Sequence, residues 1–570
     1  MNTIKKTLWK TKKPSQDITD NISELLQCHP LTAKLLVNRS VSSISEIKSF
    51  FSQDLKLITA PDKIKDIDKA SKRILKALLE NEKILIFGDY DADGVTSASI
   101  VYLFLSKFTK NISYFIPDRG KDGYGFSIRH ADMIRKNHIN LIITVDCGSS
   151  DHEAINASKK AGIDTIVTDH HKIPDIPANA HSVVNPHRKD CNSGLTHLAG
   201  VGVAFYLLIQ LRKIMREYGF FKKKQEPKLN ELLPLVAIGT IADVVPLVKE
   251  NRIFTRKGIM QLRSNPGKPL EELIKTSKLN HKYLSSQDIA FSIAPRINSA
   301  GRLRHAKICA DLFCSNNMSE IKSICSELEK LNTSRKKEEE IIVSEIDKKI
   351  SPQDIKSRIL IFESEKWNPG ILGTAAAKIT RKYNLPCILF QRNGQELKGS
   401  ARSIPGFSIY NLIKNQSSYL KSFGGHTQAA GLSAESSSYS AFYSKIKKDA
   451  FDTLTPEILT PVQEAEDVVI FDDLSTQFLN ELELFEPFGE LNPYPLFITK
   501  NLKVESSSKI GDIHSRLSLY QQNCIKQNRL NGFIFNNTEN IPFHFNQILL
   551  KPVPDKFNRD KFNIFIEAWE

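Results

Sequence analysis

The chain has little of what a stapled or secreted fold requires. Its eight cysteines are scattered over 570 residues and no two form a Cys-x-x-Cys pair. Sparse thiols without that spacing exclude a disulfide scaffold and a structural zinc module, and they fit a reducing compartment. Long hydrophobic runs are missing as well. Nothing approaches the ~18 uninterrupted apolar residues of a membrane span, and the basic N-terminus, with Lys5, Lys6, Lys12 and Lys13, leads into no apolar export signal. The expectation is a soluble, cytoplasmic protein. Internal repeats and low-complexity tracts are also absent. Acidic residues are outnumbered: 64 Asp and Glu against 79 Lys and Arg give a formal net charge of +15, which favours a polyanionic partner. One hydrophobic core does not serve a chain of this length, and roughly three to five domains are expected.

What is present centres on KILIFGDYDADGVTSASIVYLFL, residues 83–105. Ile84 to Phe87 has the unbroken apolar character of a parallel strand buried on both faces, and Gly88 marks the exit from the sheet. Asp89, Asp91 and Asp93 follow with a period of two, which aims them the same way if the chain stays extended. Apolar residues resume at helical spacing from Thr96, so the acids are expected on a loop between strand and helix. Such loops lie at the carboxyl edge of an open α/β sheet, where ligands bind. Clustered carboxylates repel and need a cation or protons, although an Asp-rich turn with a helix cap is the local alternative.

The pattern of apolar strand, polar loop and amphipathic helix recurs, as in a parallel doubly wound sheet. Leu141 to Val145 ends in Asp146-Cys147-Gly148, and Thr165 to Thr168 ends in Asp169-His170-His171. Parallel strands bring such ends to one edge. Asp243 stands in the apolar segment Leu235 to Pro246, where a carboxylate is costly unless paired or bound. Each residue alone has an ordinary explanation as a cap or a core histidine. Together they form an oxygen-rich, imidazole-poor donor set suited to Mn²⁺ or Mg²⁺ rather than structural zinc. One carboxylate can bridge two ions about 3.5 to 4 Å apart, the spacing used for attack on phosphate esters.

FGDYDADGVTS, VDCG, TDHH and GTIADVVPL resemble, in order, the four phosphoesterase motifs of the DHH superfamily. LAGVGVAF (198–205) and APRINSAGRL (294–303) are similar to motifs of its RecJ single-stranded-DNA exonuclease branch, and the resemblance covers nearly the whole chain. It implies a two-ion Mn²⁺ or Mg²⁺ site held by Asp91, Asp93, Asp146, His170 and Asp243, completed by Asp89, with Asp146 as the bridge. It implies that His171 contacts the scissile phosphate, that Asp169 orients it, and that Asn185, Arg296, Asn298 and Arg302 face phosphate. The implied activity is 5′→3′ hydrolysis of single-stranded DNA to mononucleotides in repair and recombination, by in-line attack of a water activated between two cations. A single-strand-binding protein and a RecQ-like helicase are implied partners of a monomeric enzyme. A phosphodiesterase for oligoribonucleotides or cyclic dinucleotides, and a non-catalytic single-strand binder, remain as alternatives.

The same resemblance divides the chain into a helical lead-in (1–45), a DHH domain (46–318), a connecting helix (319–355), a smaller α/β DHH-associated domain (356–455) and an OB fold (456–570). In the lead-in, Trp9, Leu25-Leu26 and Leu35-Leu36 are the expected packing anchors. Glu- and Lys-rich residues from Ser319 to Ile350 carry helical spacing of Ile and Leu. Beyond it, LKGSARS and SFGGHTQAAG resemble the DHH-associated domain, which implies substrate binding by Arg402, Ser403, Gly424, Gly425 and His426. The turn-rich PFGELNPYPLF and the alternating segments Ser515 to Tyr520 and Phe562 to Trp569 predict a small β-barrel, and the resemblance identifies it as an OB fold that grips single strands. Phe497, Tyr520 and Phe533 are candidate stacking residues, with core packing the alternative. Two places depart from the family pattern: Trp367-Asn368-Pro369-Gly370 stands where Trp-His-Gln-Gly is usual, and His305 falls near a usual Asp after the GRL motif.

Overall fold

The computed structural model describes residues 7–570 except 124, 223, 512, 523, 526–528, 538–539 and 556–561, and leaves out the side chains of 131 and 132. Lys5 and Lys6 of the basic N-terminus therefore lie outside the described residues. The chain forms two compact units, one from Thr11–Glu329 with Ala465–Glu570, the other from Met1–Lys10 with Lys330–Glu464.

In the first unit five parallel strands lie in the order Ile112–Phe115, Ile84–Gly88, Leu141–Val145, Asp164–Thr168, Ser182–Val184. Ile84–Gly88 and Leu141–Val145 are buried at every position, which is why they read as continuous apolar runs. From Ile84–Gly88 the chain moves to a neighbour on one side, and the next strand, Leu141–Val145, pairs on the other. The strand order reverses between these two, and right-handed crossovers leave a crevice there at the carboxyl ends. Gly88 pairs with Val145, and Val145 with Thr168. Asp89, Asp146 and Asp169 are the next residues in each strand, so they emerge side by side.

The helical lead-in does not stand alone. Leu35 and Leu36 are buried as expected, and with Ile22, Leu31 and Ile47 they join one hydrophobic cluster with Phe471, Phe478, Phe497 and Leu519 of the C-terminal region. Leu25 and Leu26 are exposed, contrary to expectation, because they fall in the last turn of helix Gln16–Leu26, beyond the Thr19 and Ile22 stripe that packs. Trp9 is half-buried in the strand Leu8–Thr11.

The C-terminal strands Phe497–Ile510, His514–Gln521, Arg529–Ile534, Phe562–Trp569 and His544–Pro554 pair in that order, and the last pairs back onto the first. Closure removes both sheet edges, and Leu517, Leu519, Leu530, Ile534, Phe545 and Ile564 fill the interior at alternating positions. Phe497 is one of these core residues; Tyr520 and Phe533 are half-buried on outward positions.

The second unit contains a five-stranded sheet ordered Ser422–His426, Ala429–Glu435, Glu396–Arg402, Cys387–Asn393, Leu360–Ser364, antiparallel except for the last pair. Helix Met318–Lys349 runs as its spacing predicts, and the division between units falls within it. Helix Leu372–Tyr383 follows a turn that Asn368 Oδ1 holds by accepting the Gly370 N–H at 2.9 Å.

Candidate metal centre

The three acids after Ile84–Gly88 do not remain extended. Asp91 is the N-cap of helix Ala92–Leu105, its Oδ1 accepting the N–H groups of Asp93 and Gly94, both at 3.0 Å. Asp93 therefore sits in the first helical turn. The cap satisfies helix-end donors that an extended loop would leave open, and this decides the conformation. Both oxygens of Asp93 are held from more than a hundred residues away: Oδ2 accepts Gly200 N–H at 2.7 Å and Oδ1 accepts Val201 N–H at 2.9 Å. These donors open helix Gly200–Glu217, whose N-terminal field favours an anion. The LAGVGVAF motif thus has a physical reason. A Cβ on Gly200 would lie 2.4 Å from Asp146 Oδ1, so only glycine admits both carboxylates.

Asp146 has a left-handed φ of 61° and its N–H donates to Thr168 O at 2.9 Å. From this turn its Oδ1 lies 3.2 Å from His170 Nε2, which is 3.5 Å from Asp243 Oδ2 and 3.9 Å from Asp93 Oδ2. Asp243 arrives at the C-cap of helix Leu233–Ala242. Among the described residues Asp146 Oδ1, His170 Nε2 and Asp243 Oδ2 are buried without a hydrogen-bond partner. Orphaned lone pairs meeting at one point are what a bound cation satisfies. Three overlapping sets each bring one donor atom per residue within 4.8 Å: Asp89, Asp91 and Asp146; Asp146, His170 and His171; Asp93, His170 and Asp243. Asp146 belongs to two of them. These carboxylates and one neutral imidazole fit Mn²⁺ or Mg²⁺.

Electrostatics separates the two histidines. Burial and the charge of His171 push His170 down to about 4, the neutral form a cation needs. Burial also opposes charge on His171, but the Asp169 hydrogen bond and charge outweigh it and raise it to about 9. Asp169 Oδ1 accepts His171 Nδ1 at 2.8 Å and the N–H groups of His170 and His171 at 2.8 and 3.1 Å, while Oδ2 accepts Ser149 N–H at 3.0 Å. Despite burial, these partners hold Asp169 well below the usual carboxylate range. The remaining acids behave oppositely: burial and mutual repulsion push Asp89 and Asp146 well above that range, Asp93 up to about 7 and Asp243 up to about 9.

The expected phosphate-facing residues separate into distinct roles. Asn185 is fully buried and does not face outward: Nδ2 donates to Ser149 Oγ and His171 O, both at 2.9 Å, and Oδ1 accepts His187 N–H at 2.8 Å. It braces the His171 loop. Arg296 is buried and donates to Glu329 at 2.6 Å and to Ser292 O at 2.6 Å. Asn298 Oδ1 accepts Ala92 N–H at 2.8 Å, adding a second cap to the Asp91 helix. Arg302 is half-buried, and its charge acts on the Tyr90 phenol together with Arg119, whose guanidinium lies 5.3 Å from the Tyr90 ring. Arg119 and Ser149 escaped the sequence analysis because neither stands in a quoted motif. Asn251 escaped likewise; its Nδ2 donates to His197 O and Pro246 O, tying the segments that carry Gly200 and Asp243. His305 Nδ1 accepts the Lys307 N–H at 3.2 Å.

In the second unit Ser403 is buried with Oγ donating to Phe407 O at 2.8 Å, which pins a turn instead of facing outward. Arg402 donates to Ala401 O at 2.8 Å. Gly424, Gly425 and His426 lie exposed on the edge strand, and Gly425, with φ 140°, would place a Cβ 2.3 Å from Ala429 O.

Known proteins resemble this chain in sequence and fold. The DHH family, N-terminal domain, matches residues 83–240, the DHHA1 domain 339–451 and the RecJ OB domain 466–561. The chain is 34% identical to the single-stranded-DNA-specific exonuclease RecJ of Bacillus subtilis, covering 93% of this chain and 66% of that protein. It is 33% identical to RecJ of Escherichia coli, covering 86% of each. Its fold superposes on the crystal structure of RecJ in complex with Mn²⁺ from Thermus thermophilus with a TM-score of 0.83 at 24% identity, over 99% of this chain and 79% of that one. A second structure, of exonuclease RecJ bound to manganese, gives 0.59 at 28% identity over 69% of this chain and 96% of that one. With an acidic, two-histidine centre at the switch point of a parallel sheet, and with DHH, DHHA1 and OB segments in order, the chain belongs to the RecJ family.

Proposed function

We propose that this protein is a metal-dependent 5′→3′ exonuclease that hydrolyses single-stranded DNA to 5′-mononucleotides. One observation carries the reading: Asp146 Oδ1, His170 Nε2 and Asp243 Oδ2, all buried and unsatisfied, converge beside a histidine raised to about 9. Asp89, Asp91, Asp93, Asp146, His170 and Asp243 would hold Mn²⁺ or Mg²⁺. When bound, the ions supply Lewis-acid activation of water and neutralise phosphate charge. His171, kept protonated by Asp169, donates from Nε2 to a phosphate oxygen and stabilises the charge that grows there in the transition state. Asn185 and Ser149 fix the loop that aims it.

Arg302 offers a fork for phosphate at the rim, and Arg402, Gly424, Gly425 and His426 bind the substrate backbone from the DHH-associated domain. Residues 46–318 form the catalytic body, 356–455 the substrate-binding domain and 456–570 the single-strand grip, with 1–45 and 319–355 as lead-in and connector. By family resemblance the enzyme acts in the cytoplasm as a monomer in DNA repair and recombination, with a single-strand-binding protein and a RecQ-like helicase as partners. No helix among the described residues is long and apolar enough to cross a membrane.

Digestion of 5′-labelled and 3′-labelled single strands with Mn²⁺, Mg²⁺ or chelator tests activity and polarity together. Release of the 5′ label first, abolished by chelator and by Asp146→Ala, is expected; a folded Asp146→Ala protein cleaving at the parent rate would overturn the assignment.

A further inference from the structure

A cavity of about 250 Å³ opens at the edge of the parallel sheet opposite the metal centre, where strands Asp164–Thr168 and Ser182–Val184 begin. Asp164, Thr165 and His181 line it at those strand starts. The first of these strands ends at Asp169, so its five residues separate the cavity from the metal centre by about 16 Å. Ile155 and Ile163 give the cavity an apolar wall, and both belong to one hydrophobic cluster with Val167. Strand alternation puts Thr165 on the face of Val167; it is 2% exposed, and its Oγ1 is among the buried side-chain atoms without a hydrogen-bond partner.

The charges around this cavity do not balance. Lys69 lines it from helix Ile67–Leu79 and Lys159 from helix His152–Lys160. Lys159 Nζ donates to Asn179 Oδ1 at 2.8 Å, and among the described residues neither lysine forms an ion pair with an acid. The carboxylate in the lining is already engaged, since Asp164 Oδ2 accepts Arg73 Nε at 2.6 Å. Burial pushes His181 below its ordinary value, which leaves a neutral imidazole on the wall. A helix end accounts for one lysine in its last turn. It does not account for a second lysine brought to the same cavity by another helix.

We propose that this cavity is a second binding site, for a phosphomonoester of mononucleotide size, with Lys69 and Lys159 holding the phosphate and Ile155 and Ile163 lying against a flat apolar body. The volume is that of about eight waters, more than a free phosphate fills. Cations without acid partners suit a phosphate group, for which lysine serves as a point charge. The apolar wall has no use for an inorganic ion, whereas a base buries its face there. Asn179 and the neutral His181 supply the few polar groups that orient a ligand in a site of this kind. The site is separate from the metal centre and does not rest on the nuclease assignment, although a mononucleotide is also the product that assignment expects.

Titration calorimetry on the full chain tests it, with chelator present so that no metal ion draws phosphate to the other edge of the sheet. Deoxythymidine 5′-monophosphate, glucose 6-phosphate and inorganic phosphate are compared. The parent is expected to bind one equivalent of the nucleotide, about tenfold more tightly than either of the others. Lys69→Ala with Lys159→Ala is expected to weaken nucleotide binding by about 10- to 100-fold. Lys160→Ala, the next residue on the helix but outside the lining, is expected to bind as the parent does. Both lysines are exposed, so the double variant is expected to keep the parent's melting temperature. No nucleotide binding by the parent, equal affinity for nucleotide and inorganic phosphate, or undiminished affinity in the double variant overturns the site.

Discussion

His170 Nε2 stands 3.2 Å from Asp146 Oδ1, and among the described residues neither atom has a hydrogen-bond partner. Two buried lone pairs this close are the arrangement that a cation coordinated by both would satisfy. Replacing Asp146 with Asn removes the cost of burying a carboxyl among repelling acids, so the metal-free protein is expected to be more stable by about 1 kcal/mol and to melt about one degree higher. The rise in melting temperature that Mn²⁺ gives the parent is expected to vanish. Thermal melts with and without Mn²⁺ and chelator check both effects.

Gly200→Ala would drive a Cβ to 2.4 Å from Asp146 Oδ1 and displace that carboxylate. Mn²⁺ affinity by calorimetry is expected to drop by about 10- to 100-fold. Circular dichroism should show the parent fold, since the helix N–H groups remain.

Asp169→Asn keeps a side chain of the same shape but loses the charge that holds His171 and three backbone N–H groups. Steady-state kcat on single-stranded DNA is expected to fall by about 10- to 100-fold. Asn185→Leu, which removes the donors to Ser149 and His171 without touching a donor atom of the centre, is expected to lower kcat in the same direction.

Glu250 anchors the region behind the centre, accepting His197 Nε2 at 2.8 Å and the Thr59 N–H and hydroxyl at 3.1 and 2.8 Å. Burial opposes its charge, but these bonds hold it down to about 2, below its ordinary 4.5. A depressed acid contributes stability above the unfolded value that is lost as pH falls through the folded one. The melting temperature of the parent is therefore expected to exceed that of Glu250→Gln at pH 7, with the gap closing between about pH 4.5 and 2.

Arg252 is buried among backbone carbonyls, donating to Phe50 O at 2.7 Å and Phe485 O at 2.9 Å, with its guanidinium 3.7 Å from the Phe50 ring. Burial pushes it down to about 9. Arg252→Met would leave those carbonyls unpaired and is expected to cost about 2 to 4 kcal/mol in urea unfolding. Arg252→Lys is expected to recover little, since one ammonium cannot reproduce the planar fork.

The donors were legible in the sequence because each ends an apolar strand or helix, and parallel strands deliver their ends to one edge whatever the intervening chain does. Asp89, Asp146 and Asp169 needed only that rule. The closed barrel was visible in alternating segments such as Ser515 to Tyr520, because a period of two survives wherever one face is buried.

Other features depended on partners that proximity in sequence does not reveal. Asp91 looked like one of three equivalent acids, yet it caps a helix. Asp93 is gripped by Gly200 and Val201, and Asn185 turned from an expected phosphate contact into a buried brace. Leu25 and Leu26 looked like core and lie exposed. Local pattern reports which face a side chain takes, a property of short-range backbone geometry. Whether that face meets a helix end, a carbonyl, a cation or water is settled by residues a hundred positions away, and only folding brings them into range.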